Sequence, residues 1–359
     1  MKKLMCLAAI AMVLTVFNAC TKDELKKPLD DGIAKTVKAD VYLENGYLAF
    51  KNMNAVDSVV NVLSKMSRQE KDVWEQQIGL KSARFEFDNL FAEYEKLASK
   101  DDFLKFKAKY KNQLKFNEMD ETDCSIDYPY ICSYYRAIMN TKGLFKVGLS
   151  ICQYTKDYQI IVLDGDFKKL QNLSAYSDDK SVIVSTSLKS GGINNATDLI
   201  SDFPGFDPSG NNNRWWINTS GDRKLLNELK VAKMVSWNQP VPGGPVYTTK
   251  SCNFYLRQYG LKKGLFGWNN YSTVYEFKNP VIKVDILPTV NVIFSNDGTS
   301  PATSPDYIWP LYFYQESMTY TWLNLNYLRP MFSMQGDVSS RGFNGVPTFI
   351  RWKEHTNFP

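Results

Sequence analysis

The sequence predicts an α+β protein: an N-terminal mainly helical region followed by an antiparallel β-sandwich-like region. Three observations predict it. Apolar residues recur at helical spacing between residues 53 and 114. From Arg214 onward they tend to alternate with period two between turn signals. The chain has 359 residues, too many for one ordinary small domain. Its composition, 44% hydrophobic and 23% charged, excludes a wholly disordered or collagen-like chain. The organisation expected is a signal over 1–19, a tether over 20–40, a helical region with a β-hairpin over 41–200, and a β-sandwich-like domain over 201–359.

The amino terminus comes first. Lys2 and Lys3 precede an almost wholly apolar run from Leu4 to Phe17, then Asn18-Ala19-Cys20. That is the pattern of a secretory signal. The run is shorter than the roughly 20 residues a permanent membrane helix needs. Ala19-Cys20 resembles a bacterial lipobox, in which the cysteine is lipidated, although Phe17 and Asn18 depart from the usual pattern. Thr21-Lys22-Asp23-Glu24 resembles the export signal of Bacteroidota lipoproteins. These resemblances imply an outer-membrane protein, anchored by lipid at Cys20 and facing the cell exterior. Residues 21–40 are mostly polar, with one proline, and suit a flexible tether.

The folded part begins with a strand at Gly46–Phe50. Val56, Val59, Val60, Leu63 and Met66 then mark one face of a helix. Ser67 and Glu70 form a capping box, so a second helix starts at Arg68 and ends before Gly79. A third is expected over 83–98, with Leu90, Phe91, Tyr94 and Leu97 on its face. Ser99 caps a fourth, running to about 114 and carrying Phe103, Phe106, Tyr110 and Leu114. The Lys- and Glu-rich opposite faces read as solvated surface.

After Asp120 the pattern changes. Leu144–Tyr154 and Tyr158–Leu163 read as a hairpin around Thr155-Lys156-Asp157, and Val182–Leu188 as another strand. Residues 189–213 are rich in turn signals and suit a boundary or a functional loop. Strands are expected at Tyr247–Tyr259, Tyr271–Phe277, Val281–Ile286, Val290–Phe294 and Tyr312–Tyr327, with Lys262-Lys263-Gly264 as a turn. Prolines 280, 288, 301, 305, 310 and 330 punctuate them.

The Gly46–Phe50 strand, the helix after it and the Lys262–Trp268 turn resemble lipoproteins of gut Bacteroides known only as a domain of unknown function. The resemblance implies a source and a location, and no chemistry.

The residues narrow the function by exclusion. The net charge of +5 includes Lys2 and Lys3, so the mature chain is too mildly basic to imply a nucleic-acid partner. His355 is the one histidine, which disfavours histidine-based metal sites and catalytic triads. No nucleotide-binding glycine motif, nucleophile elbow or HExxH occurs. Asp164-Gly165-Asp166 lacks the acid that a calcium loop needs at its twelfth position, and reads as a turn. No metal and no cofactor is expected. Cys124, Cys132, Cys152 and Cys252 remain in the mature fold. Spacing favours a local Cys124–Cys132 bridge without excluding four buried thiols.

A glycosidase needs two carboxylates and no histidine. Glu228, Asp285, Asp306, Glu316 and Asp337 are available, and spacing selects no pair. The aromatics say more. Of eight tryptophans, Trp74 alone lies in the helical part. Trp215 and Trp216 follow Asn211-Asn212-Asn213-Arg214, and Trp268 and Tyr271 enclose Asn269-Asn270. Flat rings beside amides suit sugars, whereas most large aromatics are core. The expectation is a non-catalytic surface lipoprotein that binds carbohydrate through Trp215, Trp216, Trp268 and Tyr271. The alternatives are a protein-binding adhesion or assembly module and a carboxylate-dependent glycoside hydrolase.

Overall fold

The computed structural model describes residues 40–118, 120–176, 178–186, 200–201, 214–217, 221–264, 266–286, 289–294, 298–319, 331–340 and 348–355. The signal, Cys20, the tether and most of the turn-rich stretch lie outside them.

The described chain opens with β1 (Val41–Glu44) and β2 (Tyr47–Phe50). Asn45 and Gly46 join them at φ 50° and 81°, the pair of positive angles that a two-residue hairpin turn needs. Four helices follow: α1 (Met53–Lys65), α2 (Arg68–Ile78), α3 (Ala83–Tyr94) and α4 (Lys100–Tyr110). Each has a side-chain cap, from Asn52, Ser67, Ser82 and Ser99 in turn. The Ser67–Glu70 capping box is present, and Gly79 ends α2 at φ 72°. Helix α3 stops at Tyr94 rather than near residue 98, because Leu97 N–H closes a tight turn on the Tyr94 carbonyl at 3.1 Å.

The short ribbon β3 (Lys115–Phe116) and β4 (Ile126–Asp127) comes next. Then come β5 (Leu144–Val147), β6 (Ser150–Tyr154), β7 (Tyr158–Val162), α5 (Phe167–Gln171) and β8 (Val182–Thr186). The expected single strand over 144–154 is two strands, split at Gly148. There φ is 58°, and a Cβ would meet the Trp237 carbonyl oxygen at 2.5 Å, so glycine is required. The strands form one six-stranded sheet in the order β1-β2-β5-β6-β7-β8. Its β2–β5 pair is parallel, and α1–α4 lie in the crossover that such a pair needs.

The remaining strands are β9 (Ile200–Ser201), β10 (Arg214–Ile217), β11 (Arg223–Asn238), β12 (Tyr247–Gly264), β13 (Gly267–Tyr271), β14 (Tyr275–Ile286), β15 (Thr289–Phe294), β16 (Gly298–Thr299), β17 (Asp306–Thr319), β18 (Met331–Ser340) and β19 (Thr348–His355). They form two antiparallel sheets. One is β10-β11-β12-β13 with β17 also on β12, and the other is β15-β14-β18-β19-β9 with β16 on β14. The protein is thus α+β, with helices first and antiparallel sheets after.

Two turn signals are overridden. Lys262-Lys263-Gly264 continues β12, pairing with Asn269, Trp268 and Gly267, and the reversal falls just beyond it. Pro280 and Pro310 lie inside β14 and β17, at register shifts beside Lys278 and Phe254. A bulge is where a strand tolerates a missing donor.

Side chains from before and after residue 200 share one interior. Tyr134 and Tyr255 have ring centroids 5.0 Å apart. The Asn253 amide donates to the Tyr135 hydroxyl at 3.1 Å. Cys124, Cys132, Cys152 and Cys252 are buried thiols, so the local bridge suggested by spacing is not formed.

A buried charge network ties these layers. The Asp306 carboxylate, at the start of β17, accepts from Arg136 at 2.6 Å and from Arg257 on β12 at 2.8 Å. Arg257 also reaches Asp127 on β4 at 2.6 Å and Glu228 on β11 at 3.5 Å. Burial alone would raise the Asp306 carboxyl, but the two guanidiniums outweigh it and hold it well below the usual carboxylate range. Its stabilising contribution is therefore present above the unfolded carboxylate range, and is lost only as pH falls through the much lower folded value. Replacing one partner strands the others. Asp306→Asn is expected to lose about 3 kcal/mol of stability, read by urea unfolding at pH 7. A loss below about 1 kcal/mol would show that the two arginines find other partners.

Candidate functional site

A cavity of about 310 Å³ opens between the helices and the start of β17. Its wall is built locally. Helix α1 presents Val60, Leu63 and Ser64, and α2, begun by Ser67, presents Arg68 and Lys71 one turn apart. Helix α3 adds Arg84, Asp88 and Phe91. Tyr134, Arg136, the 301–305 loop and the Asp306–Ile308 end of β17 close it. The Tyr307 hydroxyl donates to the Ser64 carbonyl at 2.6 Å and fixes β17 to the end of α1.

The cations on this wall differ in how well they are neutralised. Arg84 is fully engaged, with Asp72 at 2.6 Å, Asp88 at 2.7 Å and Glu75 at 2.8 Å. Arg68 lies 3.5 Å from Asp88. Arg136 shares one Asp306 oxygen with Arg257. Lys71 forms no ion pair or side-chain hydrogen bond among the described residues. Burial, then the charges of Arg136 and Arg84, lowers its ammonium from 10.5 to about 8. The arrangement can accept an anion. Of its carboxyls, Asp306 is lowered by its two arginines, whereas burial raises Asp88.

A larger cavity of about 720 Å³ lies beside the β1–β2 turn. Its carboxylate, Glu44, is already held by Lys146 at 3.0 Å, and its lysines 81 and 142 are solvated. It offers no comparable unmet charge.

The four aromatics expected to bind ligand fall on one sheet, two on β10 and two on β13. By register, 216 and 271 lie in one cross-strand row, 216-225-260-271, while 215 and 268 occupy positions of the opposite face. The side chains of Trp215 and Trp216 lie outside the described residues. Trp268 and Tyr271 are half-buried. The Lys224 ammonium lies 4.1 Å from the Trp268 ring centroid, and the Arg223 guanidinium 4.7 Å from that of Tyr271.

The intervening amides serve the fold. Asn270 accepts from Ile126 N–H at 2.7 Å and donates to the Ile126 carbonyl at 3.0 Å. Asn269 donates to the Gly267 carbonyl at 2.9 Å. Of the acids considered for hydrolysis, Glu228 and Asp306 join the Arg257 network. The side chains of Asp285, Glu316 and Asp337 lie outside the described residues. Asp164-Gly165-Asp166 is a turn in which Asp164 pairs with Lys169 and Asp166 caps α5. Among the described residues no cluster of metal-ligating side chains occurs, and no helix is long and apolar enough to cross a membrane.

Sequence reasoning missed the cavity. Lys71 read as one of many solvated lysines, and the partners that half-bury it lie on other elements.

An α+β fold with an open, charged cavity defines an architecture, not a chemistry. Residues 39–190 match the model of a domain of unknown function, DUF4848, in agreement with the resemblance drawn from the sequence. This segment supplies the helical wall of the cavity and stops short of β17. The chain is also similar to the crystal structure of a DUF4848 family protein from Bacteroides thetaiotaomicron. That similarity has 16% identity and a TM-score of 0.31, and covers 85% of this chain and 96% of that one. No curated protein matches the chain significantly.

The Lys71 geometry makes a prediction about stability. A folded value below the unfolded one means that charged Lys71 costs stability below about pH 8, and that the cost fades as pH rises toward 10.5. Lys71→Met is therefore expected to stabilise the protein at pH 7, by on the order of 1 kcal/mol after solvent screening. The gain should shrink above pH 8. Thermal unfolding of both forms at pH 7 and pH 10 checks this; an equal or lower melting temperature for the variant at pH 7 would contradict it.

Proposed function

We propose that the chain is a lipid-anchored protein of the outer cell surface that binds a small carbohydrate without transforming it. The cavity is its site. The observation that carries this reading is the mixed lining: Phe91, Tyr134 and Ile308 stand among guanidinium, ammonium and hydroxyl donors. A sugar has the matching character, with apolar ring faces and polar edges. At about 310 Å³ the cavity stands at the small end of ligand sites, roughly 300–1,000 Å³. It suits one or two rings of a longer glycan. The lipid anchor is supported by the sequence around Cys20.

Two experiments test this. Cys20→Ser should abolish incorporation of labelled fatty acid and release the protein from the membrane; unchanged membrane association would remove the anchor. A glycan array with the soluble chain beginning at Thr21 should give specific hits. Ala137→Trp, which fills the cavity from its wall, should reduce them at least about tenfold, while Trp268→Ala and Tyr271→Ala should not. Hits that survive Ala137→Trp and vanish with the β13 variants would move the site to β13. A blank across plant, mucin and microbial glycans would favour a protein-binding module instead.

A further inference from the structure

We infer that the cavity recognises a carboxylate on its ligand, held between Lys71 and the unshared edge of Arg136, so that the carbohydrate bound is an acidic sugar. This rests on the reading of the cavity as the binding site.

The argument is one of unmet charge. The wall carries three carboxylates, and all are engaged. Asp88 accepts from Arg84 at 2.7 Å and Asp306 from Arg136 at 2.6 Å, and Glu95 accepts from the Ser272 hydroxyl at 3.4 Å. Arg84 is satisfied by three acids, and Arg68 reaches the Asp88 carboxylate at 3.5 Å and donates to the Asp88 carbonyl at 3.1 Å. What remains is Lys71, with no ion-pair partner among the described residues, and Arg136, which shares a single carboxylate oxygen with a second arginine. These two like charges act on each other, and Arg136 is the cation that influences Lys71 most. An anion set between them turns that repulsion into two charge-assisted hydrogen bonds.

The same wall sets the anion's charge. Asp88, Glu95 and Asp306 lie within it and oppose a dianion, so a monoanionic carboxylate fits better than phosphate. The apolar wall of Val60, Leu63 and Phe91 then receives the body of the ligand. The charged groups facing Lys71 are Arg84 and Asp88 from α3, Arg136, and Asp306 from β17, with Arg68, Asp72 and Glu75 on its own helix. Lys71, lowered by burial to about 8, loses its charge above that pH, while burial raises the Asp88 and Glu75 carboxyls. Carboxylate binding should therefore weaken above that pH.

The test uses the mature chain with its lysines reductively ¹³C-dimethylated, which keeps their charge. The Lys71 resonance is identified by its absence in Lys71→Arg. Galacturonate, its methyl ester, galactose, acetate and inorganic phosphate are each titrated. Galacturonate is expected to shift the Lys71 resonance and raise its titration midpoint. It should bind about tenfold or more tighter than the ester or galactose. Lys71→Met should erase that ratio, and Lys71→Arg should keep it.

Equal binding of acid and ester would overturn the inference while leaving the carbohydrate reading intact. Phosphate binding tighter than galacturonate would overturn the monoanion assignment. If neither galacturonate nor acetate moves the Lys71 resonance, there is no carboxylate site. Specific neutral hits on the array would then still uphold sugar binding, and a blank array would remove both.

Discussion

Asp306 sits between two arginines, and much of the molecule is positioned by that contact. Its carboxylate belongs to the first residue of β17, Arg257 to the middle of β12, and Arg136 to the segment that follows Ser133. The Arg136 carbonyl in turn accepts from Arg84 N–H at the start of α3, at 2.9 Å. Through Arg257 the network reaches Asp127 and Glu228. A buried charge is tolerable only when all its partners are in place. The network therefore acts as a register check. The β17–β12 pairing, with its bulge beside Phe254, must bring position 306 opposite 259 for the charges to meet. The start of α3 must also hold the Arg136 segment to the same point. Because Arg136 faces both the interior and the cavity wall, the contact that locks the layers also shapes the candidate site.

A second long-range hold works by neutral hydrogen bonds. The Tyr94 hydroxyl, at the end of α3, donates to the Cys124 carbonyl at 3.1 Å and accepts from Asn270 N–H at 3.1 Å. The Asn270 side chain closes the same knot on Ile126. Trp268 contributes its backbone, donating to the Thr122 carbonyl at 2.7 Å and accepting from Cys124 N–H at 2.8 Å. A Cβ at Gly267 would meet the Thr122 carbonyl oxygen at 2.2 Å, so the approach of these two segments requires glycine there. The Gly-Trp-Asn-Asn-Tyr run has the composition of a sugar-binding loop, yet its polar atoms have clear work in joining β13 to the helical part.

Local signals were legible in the sequence and remote ones were not. Ser67 with Glu70, Ser99 and Gly79 mark helix ends correctly, because a cap is made by residues within one turn of it. The hydrophobic faces of α1 and α4 follow for the same reason. Gly148 was hidden, because what demands a glycine is the approach of Trp237 from a distant strand. Lys262 and Lys263 looked like a turn, and pairing with β13 keeps them extended. Pro280 and Pro310 looked like strand ends, and a bulge accommodates each. The site was the least legible part. Lys71 has the helical spacing of a solvated residue, and nothing nearby in sequence announces that Arg136 and Asp306 will line the same cavity.

That placement is itself informative. Burial beside two arginines disfavours the charged form of Lys71, so a residue such as methionine is expected to pack there at lower cost. Structures tolerate such strain chiefly where function uses it. An anionic ligand resolves the strain by linkage. Bound to the folded state and not to the unfolded chain, the ligand proposed above would add its binding energy as stability. At a hundredfold excess over its dissociation constant a ligand adds about 2.7 kcal/mol. That is enough to offset the unfavourable ammonium and leave the bound form more stable than the empty one. On that proposal, the charge that weakens the free protein is also the charge that selects its ligand.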